Sequence, residues 1–158
     1  MPEHDRDEID TIIALKLDGP ASRVHPVRCC QSLTRGRKAT ASNTAPDQPD
    51  YCCDPRLAVD DDFLTRWAAC GDVRQAWLQV DLGAPTTFRG AFLSEDRDRV
   101  RQFELQYQEG GAWRSCAGGT TIGGRLALSF EPVTARFVRL NILKATGGPS
   151  IVEFQLFA

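Results

Sequence analysis

Histidine is nearly missing from this 158-residue chain: the two present, His4 and His25, both precede the patterned region. There is also no G-x-S-x-G elbow, H-E-x-x-H pair or phosphate-binding glycine loop, so the common nucleophile, zinc-hydrolase and nucleotide chemistries have no carrier. No stretch reaches the roughly 20 apolar residues that a membrane helix needs. The opening MPEHDRDEID is polar and acidic, where a secretory signal requires a basic end followed by an apolar run. The sequence therefore reads as a soluble chain, and any export signal belongs outside it. Charge of one sign is lacking too. The net charge is −2 and the arginines are interspersed with acids, so no basic field exists for a phosphate backbone, and nucleic acid is not an expected partner.

Helical periodicity is scarce as well, and alternation takes its place. Leu78, Val80 and Leu82 share one face of AWLQVDLG; Phe103, Leu105 and Tyr107 share one in QFELQYQ. Leu126, Leu128 and Phe130 do so in RLALSF, and Val138, Leu140 and Ile142 in FVRLNI. Side chains of a strand alternate between its faces, so each segment predicts a strand with one buried side. Gly110-Gly111 predicts a hairpin turn before AWRSCAG, and Gly123-Gly124 another before RLALSF. A content of 42% hydrophobic and 25% charged residues supports one core. The fold class expected is all-β, a sandwich or jelly roll.

The first residues behave differently. IDTIIALKL, Ile9 to Leu17, predicts a strand, whereas DGPASRVHPVRCC carries the glycine and prolines of a linker. The division expected is a head strand over 1–18, a linker over 19–37 and the main domain over 38–158. A lone strand cannot bury both faces, so it either docks on the following domain or belongs to something preceding it. Six cysteines form two vicinal pairs, Cys29-Cys30 and Cys52-Cys53, plus Cys70 and Cys116. A bridge between the pairs, free thiols and a zinc site all stay open. Adjacent cysteines on an extended chain point to opposite faces, which makes a four-thiolate site awkward.

Two charged stretches are candidate sites. LAVDDDFLTRW, Leu57 to Trp67, places three consecutive carboxylates before a threonine; their repulsion is relieved either by water or by a cation. SEDRDR supplies Glu95, Asp96 and Asp98, the residue type that glycoside hydrolysis uses in pairs. Spacing within one loop does not create the facing geometry which that reaction needs.

With these motifs in place, residues 38–157 resemble the discoidin domain, also called the coagulation factor 5/8 type C domain, which includes the family-32 carbohydrate-binding modules. KATASN, LAVDDDFLTRW, WLQVDLG, FELQYQEGGAW, ARFVRLNI and GGPSIVEFQLF carry the resemblance in order. The run from GTTIGGRLALSF to GGPSIVEF is most similar to the C-terminal module of family-29 α-L-fucosidases, and DEIDTIIALKLDGPA resembles the last strand of the β-domain after their catalytic barrel. The resemblance implies an eight-stranded antiparallel jelly-roll β-sandwich, ligand-binding loops at one end and a structural calcium. It implies calcium ligands from the Leu57 carbonyl, Asp60, Asp62, Thr65, the Val152 carbonyl and Glu153. Asp61 stands where the family usually has glycine.

By the same resemblance, the sugar-binding candidates are Glu95, Arg97, Arg99 and Tyr51, with Arg74 as a further one. A carboxylate accepting from one hydroxyl beside a guanidinium donating to the next is the pattern expected. Trp67, Trp77 and Trp113 are expected in or around the core. The leading functional expectation is a noncatalytic carbohydrate-binding module tethering a parent α-L-fucosidase-like glycosidase to galactose- or fucose-containing glycan. The parent would be extracellular or periplasmic. The alternatives are a lipid- or protein-binding adhesion module, for which TAPDQPDYCC and SEDRDR lack apolar spikes, and a purely structural accessory domain.

Overall fold

A computed structural model of the chain describes residues 31–47 and 52–158. The predicted head strand, the linker through residue 30, Cys29, Cys30 and Tyr51 lie outside the described residues. The strands are β1 (Lys38–Ala41), β2 (Trp67–Ala68), β3 (Ala76–Glu95), β4 (Val100–Glu109), β5 (Ala112–Gly119), β6 (Leu126–Ala145) and β7 (Ser150–Phe157), with a 3₁₀ turn at Pro55–Ala58.

β3 and β6 are each 20 residues long, and their pairing slips between Asp81 and Thr86 and again between Phe88 and Gly90. Such slips bend a strand, and here they let both strands serve two layers. The first half of β3 pairs with β1 and with the second half of β6, which continues to β4 and β5. The second half of β3 pairs with β7 and with the first half of β6, and β7 carries β2. All pairings are antiparallel. The result is the jelly-roll sandwich, in which two bent strands do work that an eight-strand count divides among separate ones.

The core draws on both layers. Leu78, Val80, Leu105, Leu140 and Ile142 meet Leu93, Phe154 and Leu156 in one buried cluster. The alternation read from sequence matches the burial of Leu78, Val80, Leu82, Phe103, Leu105, Val138, Leu140 and Ile142, while Leu126, Leu128 and Phe130 are half-buried. Trp67 is fully buried and its indole N–H donates to the Asn43 carbonyl at 3.0 Å. Trp113 stays at the edge, with the Arg139 guanidinium 4.2 Å from its ring centre.

Gly110 and Gly111 take φ of 57° and 85°, the left-handed pair that a tight hairpin requires. The second predicted hairpin does not form. β5 pairs with β4, not with β6, and the loop through Gly123 instead accepts a hydrogen bond from the Glu95 N–H at 2.7 Å. The end of the segment read as linker is docked. Thr34 is fully buried, its hydroxyl donates to the Phe154 carbonyl at 2.8 Å, and the Leu33 N–H reaches the Leu156 carbonyl at 2.9 Å.

Candidate functional site

The aspartate loop begins at the 3₁₀ turn, where the Asp54 carboxylate accepts from the Arg56 N–H at 2.8 Å and fixes the entry. Asp61 then takes a left-handed φ of 64°. A short polar side chain tolerates this better than most, and here it is tied down by Gln155 Nε2 at 2.9 Å and by Arg35 at 3.3 Å. The turn gathers oxygen. Thr65 Oγ1 lies 3.2 Å from the Leu57 carbonyl, 3.1 and 2.9 Å from the two Asp60 carboxylate oxygens and 3.0 Å from the Asp62 carbonyl. A hydroxyl owns one proton, so it cannot satisfy four acceptors at once.

Glu153 joins them from β7. It is fully buried, and neither of its carboxylate oxygens has a hydrogen-bond partner. Burial, together with the charges of Asp61 and Asp60, pushes its carboxyl up to about 7. A buried carboxylate without donors is costly, and a cation relieves both this cost and the crowding around Thr65. No three His, Cys, Asp or Glu side chains gather as a metal cluster among the described residues. The set is mixed instead: carboxylate, hydroxyl and carbonyl, all hard oxygen, which fits calcium. Of Asp62, the carbonyl lies 3.0 Å from Thr65 Oγ1, while one carboxylate oxygen accepts from the Leu64 N–H at 2.9 Å. Val152 precedes Glu153 on β7.

A second constellation lies where β2 meets β7. The pairing of Ala68 with Ser150 and Trp67 with Ile151 brings Arg66 and Ser150 to the rim of a cavity of about 220 Å³, closed by Arg97 and Arg99 from the loop after β3. Arg97 and Arg66 reach the same Asp96 carboxylate at 3.2 and 3.5 Å. Arg99 Nη1 donates to the Gly148 carbonyl at 2.8 Å. Gly148 cannot be replaced: a Cβ there would lie 2.2 Å from the Cys70 carbonyl oxygen. The Ser150 hydroxyl is buried without a partner.

Glu95, read from the sequence as an exposed sugar acceptor, is only 4% exposed. Its Oε1 accepts from the N–H groups of Arg99 at 2.7 Å and Val100 at 3.0 Å. It closes the loop that presents Arg97 and Arg99, and it points inward in the same alternation as Ala91 and Leu93. Arg74 folds onto its own loop, donating to the carbonyls of Gly71 and Val73. Arg66 and Ser150 were not singled out from the sequence, since they are 84 positions apart and only the strand pairing joins them.

The profile of the F5/8 type C domain matches residues 38–154. The chain belongs to the F5/8 type C domain family. Several solved structures share its fold. Chitosan-binding module 1 from a chitosanase/glucanase of Paenibacillus sp. IK-5 is 25% identical with a TM-score of 0.72, covering 80% of this chain and 98% of that one. The module CpGH89CBM32-5 of Clostridium perfringens, solved with GalNAc-beta-1,3-galactose, is 23% identical with a TM-score of 0.70, covering 80% and 99%. A putative alpha-L-fucosidase from Bacteroides thetaiotaomicron is 22% identical with a TM-score of 0.72, covering 80% of this chain but 28% of the fucosidase. No curated protein matches the chain.

This F5/8 type C domain has a further concavity of about 550 Å³ on the face of the β7 layer, lined by Phe63, Phe92, Phe157, Leu128 and Arg125. The Phe63 and Phe92 rings meet edge to face at 6.0 Å. Phe63 is 54% exposed and Leu64 is 92% exposed, so an apolar tip projects from the aspartate loop, outside the two loops searched for spikes in the sequence. Among the described residues no helix is long and apolar enough to cross a membrane. No disulfide joins Cys52, Cys53, Cys70 or Cys116 to one another; pairing with Cys29 or Cys30 lies outside the described residues.

Proposed function

We propose that this F5/8 type C domain is a noncatalytic carbohydrate-binding module that keeps a parent α-L-fucosidase-like glycosidase close to glycan in an extracellular or periplasmic setting. The observation that carries the reading is the loop-end cavity, a small concave site at which guanidinium groups and a buried, unpartnered hydroxyl converge. Arg97 and Arg99 supply fixed donors, and Ser150 Oγ can both donate and accept. The Clostridium perfringens module solved with GalNAc-beta-1,3-galactose and the chitosan-binding module of Paenibacillus support the reading, since both pair this fold with saccharide recognition.

Leu57, Asp60, Asp62, Thr65 and Glu153 would hold calcium, with Val152 beside them. When bound, the ion supplies a concentrated positive charge that neutralises these oxygens. The role of the residues is mechanical: Asp60 and Thr65 belong to the loop before β2, Glu153 to the last strand, and joining them clamps the start of the sandwich to its end. Arg66 and Trp67 follow Thr65 directly, so this clamp also sets where the cavity rim stands.

A glycan array probed with the whole chain tests the reading, and retention that is lost in Arg99→Gln is the expected result. Retention unchanged in that variant would displace the site, and no retention would remove the function. The adhesion reading keeps one observation of its own, the exposed Phe63 and Leu64. Sedimentation with anionic liposomes that disappears in Leu64→Ser would favour it.

A further inference from the structure

The described lining of the loop-end cavity is positively charged. Arg66, Arg97 and Arg99 line it, and no acidic side chain does among the described residues. One carboxylate, Asp96, is shared by Arg66 and Arg97. Arg99 gives its Nη1 proton to a neutral carbonyl, that of Gly148. Neighbouring acids are engaged elsewhere: Glu95 Oε1 is held by two backbone N–H groups, and Asp98 pairs with Arg101 at 3.5 Å. Cys53, which also lines the cavity, brings no negative charge, since burial raises its thiol above the ordinary range.

The floor adds an independent sign of a ligand. Ser150 is 3% exposed, and its hydroxyl oxygen has no hydrogen-bond partner although it borders the cavity. A buried polar group without a partner is uncommon and asks for one. Planar guanidinium groups match the paired oxygens of carboxylates and sulfates, and such charge-assisted bonds are about twice as strong as neutral ones. A neutral hydroxyl would leave the excess positive charge in place, and an ammonium-bearing aminosugar would be repelled by it.

We infer that this cavity selects glycans bearing an anionic group, a sugar carboxylate or a sulfate ester, over neutral and aminosugar glycans. The inference rests on the glycan-binding reading and deepens it by naming the ligand class. It separates this domain from its chitosan-binding neighbour, whose ligand carries the opposite charge.

The test is an array of matched glycans probed with the whole chain: lactose, 3′-sialyllactose, 3′-sulfated lactose, trigalacturonate and the glucosamine trimer, followed by calorimetry on those retained. One or more anionic glycans should bind about tenfold or more tightly than the neutral parent, the difference expected of one charge-assisted bond. The advantage should shrink as salt rises from 50 to 500 mM. Arg97→Gln, at an exposed position, should remove most of it without changing the melting temperature. Retention of only the sialylated and uronate probes assigns the site to carboxylates, and retention of only the sulfated probe assigns it to sulfate esters; each supports the inference. Equal retention of lactose, or preference for the glucosamine trimer, overturns the charge selection and leaves the carbohydrate-binding reading standing. No retention of any glycan overturns both. Anionic preference that persists in both Arg97→Gln and Arg99→Gln places the selection outside this cavity.

Discussion

Glu95 ends β3 and Glu153 lies within the neighbouring β7 of the same layer; both are almost wholly buried, and each has a carboxylate oxygen without a partner. What separates them is the number of donors. Glu95 receives two well-formed backbone N–H bonds from the loop it closes, whereas at Glu153 no donor reaches hydrogen-bond geometry, the Asp61 N–H approaches only loosely, and the carboxyl faces the charges of Asp60 and Asp61. Burial raises the carboxyl of both, outweighing those two N–H groups at Glu95 and joined by neighbouring negative charge at Glu153. The same residue type under the same burial is thus a loop closure in one place and, by the calcium proposal, part of a cation site in the other. Donors, not depth, decide between them.

The largest effect expected from breaking this contrast is at Glu153. A metal that binds only the folded state adds about 2.7 kcal/mol at a hundredfold excess over its Kd, which is about 5–10 °C in melting temperature for a domain of this size. Calcium should raise the wild-type Tm by that order, and EDTA should reverse it. Glu153→Gln and Asp60→Ala should each lose most of the shift. In EDTA, Glu153→Gln should melt no lower than wild type, because a buried charge has been removed. A calcium shift of equal size in both variants would end the assignment.

Glu95 should answer the other way. Glu95→Ala strands the N–H groups of Arg99 and Val100 and should lower stability by about 1–3 kcal/mol, while Glu95→Gln keeps an acceptor oxygen and should lose far less. Urea unfolding with and without calcium checks this, and both variants should keep the full calcium shift. A calcium shift lost in Glu95→Gln would mean the two carboxylates are not separate devices.

The smallest effect sharpens the contrast with a carboxylate satisfied at the surface. Arg136 holds Asp81 through two hydrogen bonds of 2.7 and 2.8 Å and lowers its carboxyl to about 2. A depressed carboxylate stabilises the fold above its unfolded value near 3.8 and loses that contribution as pH falls toward 2. Arg136→Ala should therefore melt slightly below wild type at pH 5, with the gap closing by pH 2. The gap is small because solvent screens the exposed pair. A gap that widens on acidification would contradict the sign.

Much of the fold was legible because alternation is local: Leu78, Val80 and Leu82 declare a buried face without reference to any other strand. That Asp60, Thr65 and Glu153 would come together was suggested by the runs in which they occur, and the structure places Thr65 against Asp60 and buries Glu153 beside Asp60 and Asp61. The sugar candidates were less legible. Glu95 was read as a sugar contact, yet the alternation that buries Ala91 and Leu93 continues to Glu95, so a period of two already places it inward; what the pattern does not show is the pair of backbone donors that the following loop brings to it. Gly123-Gly124 has hairpin composition, yet turn residues cannot state which strand comes back alongside.

What the sequence determined by itself is the all-β class, the buried faces around Leu78, Leu105 and Leu140 and the oxygen-rich loop, because each depends on side chains a few positions apart. The tertiary structure alone decided that Ser150 and Arg66 border one cavity, that Glu153 is buried beside Asp60 and Asp61 and that Glu95 receives its donors from the following loop. The first two outcomes depend on pairing between β2 and β7 and on bends in long strands. Such interactions join residues tens of positions apart, and their geometry exists only once both layers have closed on the core.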